Sequence, residues 1–169
     1  MAYDARAVAN FFLELAKRDN VPVSPMKLQK ILYFAHGWFL ALTGKPLLEE
    51  RIEAWSYGPV IPDIYLEFKR FGNDPVTAPA TPFARDKEDP PKPYQMPNGE
   101  EDRSARLILE KVWESYKGFS AIALSNMTHQ KETPWSKTVE PYSGVEKIPI
   151  NLVISDELIK DYFTRDEQS

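Results

Sequence analysis

A chain of 169 residues is the size of one ordinary domain, and with 43% hydrophobic and 12% aromatic residues it can bury a core without metals or disulfides. It has no cysteine, which excludes disulfides, thiol nucleophiles and cysteine-ligated zinc and fits a reducing cytoplasm. A net charge of −4 lacks the basic field that phosphate backbones need, so nucleic acid is disfavoured as a partner, and the longest uncharged run, 31 to 44, is too short to span a bilayer.

Asp4 is placed to cap a first helix, in which Ala5, Val8, Phe12 and Leu15 recur at three- and four-residue spacing up to Asp19-Asn20. Charges scattered through these twenty residues make it an amphipathic helix rather than a secretion signal. The next stretch, "SPMKLQKILYFAHGW", starts with Ser24 as N-cap and Pro25 at the first helical position, and Gly44 with Pro46 ends the helix. Leu28, Ile31, Leu32, Ala35, Phe39 and Leu42 form one apolar stripe, widened by Phe34, Trp38 and Ala41, so this helix is central. Gln29, Tyr33 and His36 line up beside it as a polar stripe that must find hydrogen bonds if buried. Gly37 leaves room for another backbone to approach.

Alternation around Ile52 and Ala54, followed by Gly58-Pro59, predicts a short strand or hairpin. Pro62 opens a helix with Ile64, Tyr65, Phe68 and Phe71 on one face and Gly72 as terminator. Residues 73–99 hold seven of the fifteen prolines and little periodicity, a loop within the single domain 1–169. Ala105, Leu109, Val112 and Tyr116, with Ile108 and Trp113, then mark an amphipathic helix stopping at Gly118. Ser120 caps a shorter one through about Gln130, and "ETPW" reads as a turn that returns Trp135 to the body. Ile148, Ile150, Leu152 and Ile154 alternate as a strand limited to an edge by Pro149, and a last helix runs from Ser155 to Tyr162 or Phe163.

No Gly-rich phosphate loop and no paired-histidine metal spacing is present, so neither cofactor nor metal is expected. His36 is read as a hydrogen-bonded core residue and His129 as a capping histidine near a helix C-terminus, rather than as catalysts. Acid pairs such as Glu49-Glu50 read as solvated charge. Trp55 and Tyr57 precede a turn, where exposed aromatic side chains make good contact anchors.

Three blocks, "KLQKILYFAHGWFLALTGKPL" (27 to 47), "EAWSYGPVIPDIYLEFKRFG" (53 to 72) and "LSNMTHQKETPW" (124 to 135), occur in the order seen in the Panacea domain antitoxin family, which includes phage-associated GepA-like and SocA-like proteins. The chain resembles that family over nearly its whole length. The resemblance implies a bacterial or prophage antitoxin that neutralises a cognate toxin by protein–protein contact. One branch acts instead as an adaptor to a Clp-type protease. The family's signatures fall here on Lys27, Leu28, Gln29, Tyr33, Trp55, Gly58, Pro59, Tyr65, Thr128, His129, Pro134 and Trp135. His36 and Tyr57 join them as candidate partner contacts.

The expectation is therefore a mainly α protein with a small β element (α+β), a compact single-domain helical bundle with a short hairpin at one side. It would be a cytoplasmic, non-enzymatic antitoxin, with homo-oligomerisation left open. The rival reading is an enzyme built on Gln29, Tyr33 and His36, which requires the two histidines to meet in a solvent-open cleft.

Overall fold

The computed structural model describes residues 2–83 and 91–168. In chain order it forms α1 (Ala5–Asp19), α2 (Pro25–Thr43), β1 (Ile52–Trp55), β2 (Gly58–Val60), α3 (Pro62–Phe68), α4 (Glu100–Tyr116), α5 (Ala121–Thr128), α6 (Pro134–Val139), β3 (Val153–Ile154) and α7 (Asp156–Gln168). The three strands make one antiparallel sheet in the order β2-β1-β3. The α+β class is as the periodicities predict.

Capping chemistry sets the helix boundaries. The Asp4 carboxylate accepts from the Arg6 amide, and Ser24 Oγ from the Lys27 amide. Asn20 and Gly44 end α1 and α2 in left-handed geometry, which a glycine or asparagine adopts at least cost.

Helix α2 is the axis of the fold. Every residue from 27 to 37 is buried, because α1, α3, α4, α5, β2 and α7 all pack against it. Its most extensive neighbour is α7, and the reason lies at Gly37. A Cβ on Gly37 would overlap the Phe163 ring, so the glycine admits that ring directly onto the α2 backbone. An aromatic ring therefore occupies the space expected for a backbone. Phe163 also makes edge contacts with Tyr33, Phe34, Trp38 and Tyr162 at centroid distances of 5.2–6.1 Å.

Several expectations are corrected. Leu42, expected on the apolar stripe, is half exposed, while Phe39 and Leu40 just before it are buried. Tyr65 lies at the surface, held edge-on against Trp55 at 5.0 Å, while Ile64 and Phe68 alone carry the buried face of α3. The alternation of 148–154 yields a strand only at Val153–Ile154, since Asn151 takes a positive φ of 62° and turns the preceding residues away from β1. Pro134 does more than stop α5: Thr133 caps the Ser136 amide and Pro134 is the first residue of α6. Finally, α7 runs well past Phe163 to Gln168.

Within the proline-rich stretch 73–99, residues 84–90 lie outside the described residues, and the rest has no helix or strand before Glu100. It is nevertheless pinned to α1. The buried Asn10 side chain donates to the Ala80 and Tyr94 carbonyls, each at 2.9 Å, and accepts from the Ala80 amide at 2.8 Å.

Truncating Phe163 removes the ring that joins α7 to α2. Phe163→Ala is expected to lower unfolding stability by about 3–5 kcal/mol, and Gly37→Ala by about 1–3 kcal/mol through overpacking, both read from urea denaturation midpoints. An unchanged midpoint in both variants would mean that α7 is not docked through this contact.

Candidate functional site

The polar stripe on α2 is buried, and its members serve different elements. Gln29 straddles the Ile61 peptide, its amide donating to the Ile61 carbonyl at 3.0 Å and its oxygen accepting from the Ile61 N–H at 2.9 Å. It thereby fixes the junction of β2 and α3. Tyr33 contributes its ring to the Phe34–Phe163 cluster, and burial pushes its phenol well above the ordinary range. His36 accepts from the Leu48 amide at Nδ1, 3.3 Å away, and its Nε2 meets Asp156 Oδ1 at 2.8 Å. This network assigns the neutral Nε2–H tautomer, which donates to Asp156. The ring joins the start of α7 to the segment after α2. Lys27, on the same helix, donates to the Lys117 carbonyl at 2.6 Å and so caps the end of α4.

Lys30 is the residue that sequence reasoning passed over. It is among the largest fully buried side chains, and its ammonium donates to the Tyr57 carbonyl at 2.8 Å and the Pro59 carbonyl at 3.1 Å. Its partners among the described residues are carbonyl oxygens, with no carboxylate to balance the charge. Burial accordingly pulls its pKa down from 10.5 to about 8. A lysine ordinarily signals a solvent face; the available signal was its place inside a helix apolar on nearly every side.

The β1–β2 hairpin above Lys30 turns through Ser56 and Tyr57, with Trp55 paired to Gly58. The carbonyls of Trp55, Ser56, Tyr57 and Pro59 all meet side chains from outside the hairpin. Trp135 Nε1 donates to the Trp55 carbonyl at 2.8 Å, His129 Nε2 lies 3.2 Å from that of Ser56, and Ser125 Oγ joins Lys30 on that of Tyr57 at 3.1 Å. His129 is the C-cap of α5, as its position predicts, and its Nδ1 lies 2.7 Å from the Ser125 carbonyl. Both ring nitrogens face backbone carbonyl oxygens. The imidazole also packs on Trp135 at 4.3 Å. Gly58, at φ +108°, is the point on which these groups converge: a Cβ there would lie 2.8 Å from Thr128 Oγ1 and 3.0 Å from Lys30 Nζ. Only glycine fits both the angle and the space.

The candidate contacts thus separate. Lys27, Gln29, Tyr33, His36, Gly58, Pro59 and Thr128 are buried. Trp55, His129 and Trp135 are half buried. Tyr57, 72% exposed at the tip of the hairpin, and Tyr65 beside it face outward. His36 is buried and His129 half buried, and among the described residues they share no hydrogen-bond partner. One acidic trio, Asp4, Glu49 and Glu50, has carboxylate oxygens within 4.8 Å of one another, yet Asp4 is paired with Arg6 and Glu50 accepts from the Ala5 amide. No helix among the described residues is long and apolar enough to cross a membrane.

The hairpin is thus held by three helices and presents Tyr57 outward on a helical scaffold. Residues 28–136 match the family described as Antitoxin SocA-like, Panacea domain, and the chain belongs to that family. It is 33% identical over 165 residues to Antitoxin SocA of Caulobacter vibrioides (strain NA1000 / CB15N), an alignment that covers 95% of this chain and 82% of that protein. No solved structure matches it.

The depressed pKa of Lys30 has a defined consequence. The folded chain holds this proton less tightly than the unfolded chain, so the buried charge costs stability in full below about pH 8 and the cost fades as pH rises toward 10.5. Between pH 7 and pH 10 the wild type is expected to gain about 2–3 kcal/mol relative to Lys30→Met, measured by urea denaturation. Parallel pH profiles for the two proteins would contradict a charged, buried Lys30.

Proposed function

We propose that this protein is a cytoplasmic antitoxin that neutralises a cognate toxin protein by direct binding, and that it does so without catalysis. Family membership and the nearly full-length likeness to Antitoxin SocA support the antitoxin role. The observation that carries the binding reading is the clamped hairpin. Four of its carbonyls are engaged by α2, α5 and α6, so Tyr57 is presented from a rigid base and little ordering entropy is lost when a partner docks.

The histidines support the non-enzymatic reading. His36 has Leu48 and Asp156 as its partners, and His129 lies against two backbone carbonyls, so both side chains are engaged within the fold.

Co-expression with the toxin encoded beside it is expected to restore growth, and Tyr57→Ala is expected to weaken the purified complex roughly tenfold or more, as an exposed aromatic anchor does. Leu107→Ala, an exposed position on α4, serves as the control. Failure to rescue growth from any adjacent toxin would overturn the antitoxin reading. Toxin levels in cells with and without the Clp-type protease separate the two modes: equal levels support neutralisation by binding, and toxin that accumulates without the protease supports the adaptor branch instead.

A further inference from the structure

The pairing of β1 with β3 ends with Glu53 opposite Val153 and one further bond from the Ala54 amide to the Leu152 carbonyl at 2.8 Å. Asn151 then turns the 148–151 segment away, and a groove of about 420 Å³ opens between that segment and the hairpin. Its volume is in the range of about 300–1,000 Å³ typical of ligand clefts. Trp55, Tyr57 and Pro62 wall one side, and Pro149 and Ile150 the other. Ile150 is 89% exposed, an apolar β-branched side chain left in water at the groove's rim.

The groove is not purely apolar, because Glu53 also lines it. Its side chain is only 4% exposed, and among the described residues its carboxylate has two donors: Trp55 Nε1 at 3.1 Å on one oxygen and Arg51 Nε at 3.2 Å on the other. An ionised carboxylate offers about four acceptor sites, so about half of this one's capacity is left without a donor among those residues. Both bonds are longer than the roughly 2.7–2.9 Å of a strong charge-assisted pair. Arg51 approaches with one nitrogen and is itself 60% exposed, so it balances the buried anion poorly. An anion under an aromatic wall is matched by a cation with a flat, polarisable face, and arginine has that shape as lysine does not.

We propose that this groove seats an arginine side chain of the partner protein, its stem against Ile150 and Pro149, its guanidinium beside Trp55 and paired with Glu53. The assignment rests on the toxin-binding reading above and names the chemistry of the contact. A net charge of −4 favours approach by a basic surface.

The test uses a probe independent of any toxin: an acetylated, amidated Gly-Gly-Arg-Gly-Gly peptide, titrated into the full chain and followed by two-dimensional NMR. A second peptide carries citrulline, which has arginine's shape without its charge. Saturable shifts of the Trp55 indole N–H and the Ile150 methyls are expected, with a millimolar Kd. Roughly tenfold weaker binding is expected for the citrulline peptide and for Glu53→Gln. Ile150→Ala, at a site too exposed to matter for folding, is expected to weaken binding several-fold and keeps the test open if Glu53→Gln unfolds. No saturable shift up to about 20 mM peptide, shifts confined to another surface, or equal binding of the citrulline peptide would each overturn the proposal. Growth rescue does not involve this peptide, so failure here leaves the antitoxin reading standing, and failure of rescue with peptide binding intact removes the toxin as the groove's occupant.

Discussion

A helix surrounded on every side must give each of its polar side chains a partner inside the fold, because an unsatisfied buried group costs about 1–3 kcal/mol. Helix α2 meets that requirement four times, and each time with a different element. Lys27 takes the end of α4, Gln29 the β2–α3 junction, Lys30 the β1–β2 hairpin, and His36 the start of α7 with the segment before β1. The hydrophobic contacts of α2 would tolerate some sliding of its neighbours. These polar contacts do not, since moving any one element by a few tenths of a nanometre would leave a charge or an amide unpaired. They set the register of the whole assembly around a single helix.

Most of this was legible where the chemistry is local. Ser24, Pro25 and Gly44 bound α2 as their capping preferences require, Asp4 starts α1, and Ser120 starts α5, because a cap depends on residues within one turn. What the sequence left unreadable depended on distant partners. Lys30 looks like any surface lysine until the hairpin is laid over it. The alternation of 148–154 is a fair strand signal, yet a strand exists only where β1 supplies a pairing edge, and Asn151 ends that pairing. Tyr65 fits the apolar face of α3 by spacing, but the core beside it is already filled by Ile64 and Phe68.

The same separation applies to the candidate site. The residues that carry the family resemblance are largely those that build the clamp: Gln29, Gly58, Thr128 and Trp135 hold the hairpin or pack beneath it, and their side chains leave little for a partner to touch. A motif of this kind marks how a surface is supported. The groups that reach outward from it, Tyr57, Tyr65 and Ile150, are supplied by the hairpin turn, by the outer face of α3 and by the rim of an open groove. A substitution there leaves the contacts of α2 intact, whereas one at Lys30 or Gly58 disturbs the support of the hairpin itself.

The proposed docking face is the hairpin and the groove beside it, carried on a structure held rigid by α2. Hydrogen–deuterium exchange of the chain, alone and bound to the toxin whose effect it rescues, tests this most directly. New protection is expected in the peptides covering 53–58 and 148–151, with α2 already protected before the toxin is added. Protection confined to the opposite face, around α4 and the proline-rich segment, or an α2 that becomes protected only in the complex, would contradict it.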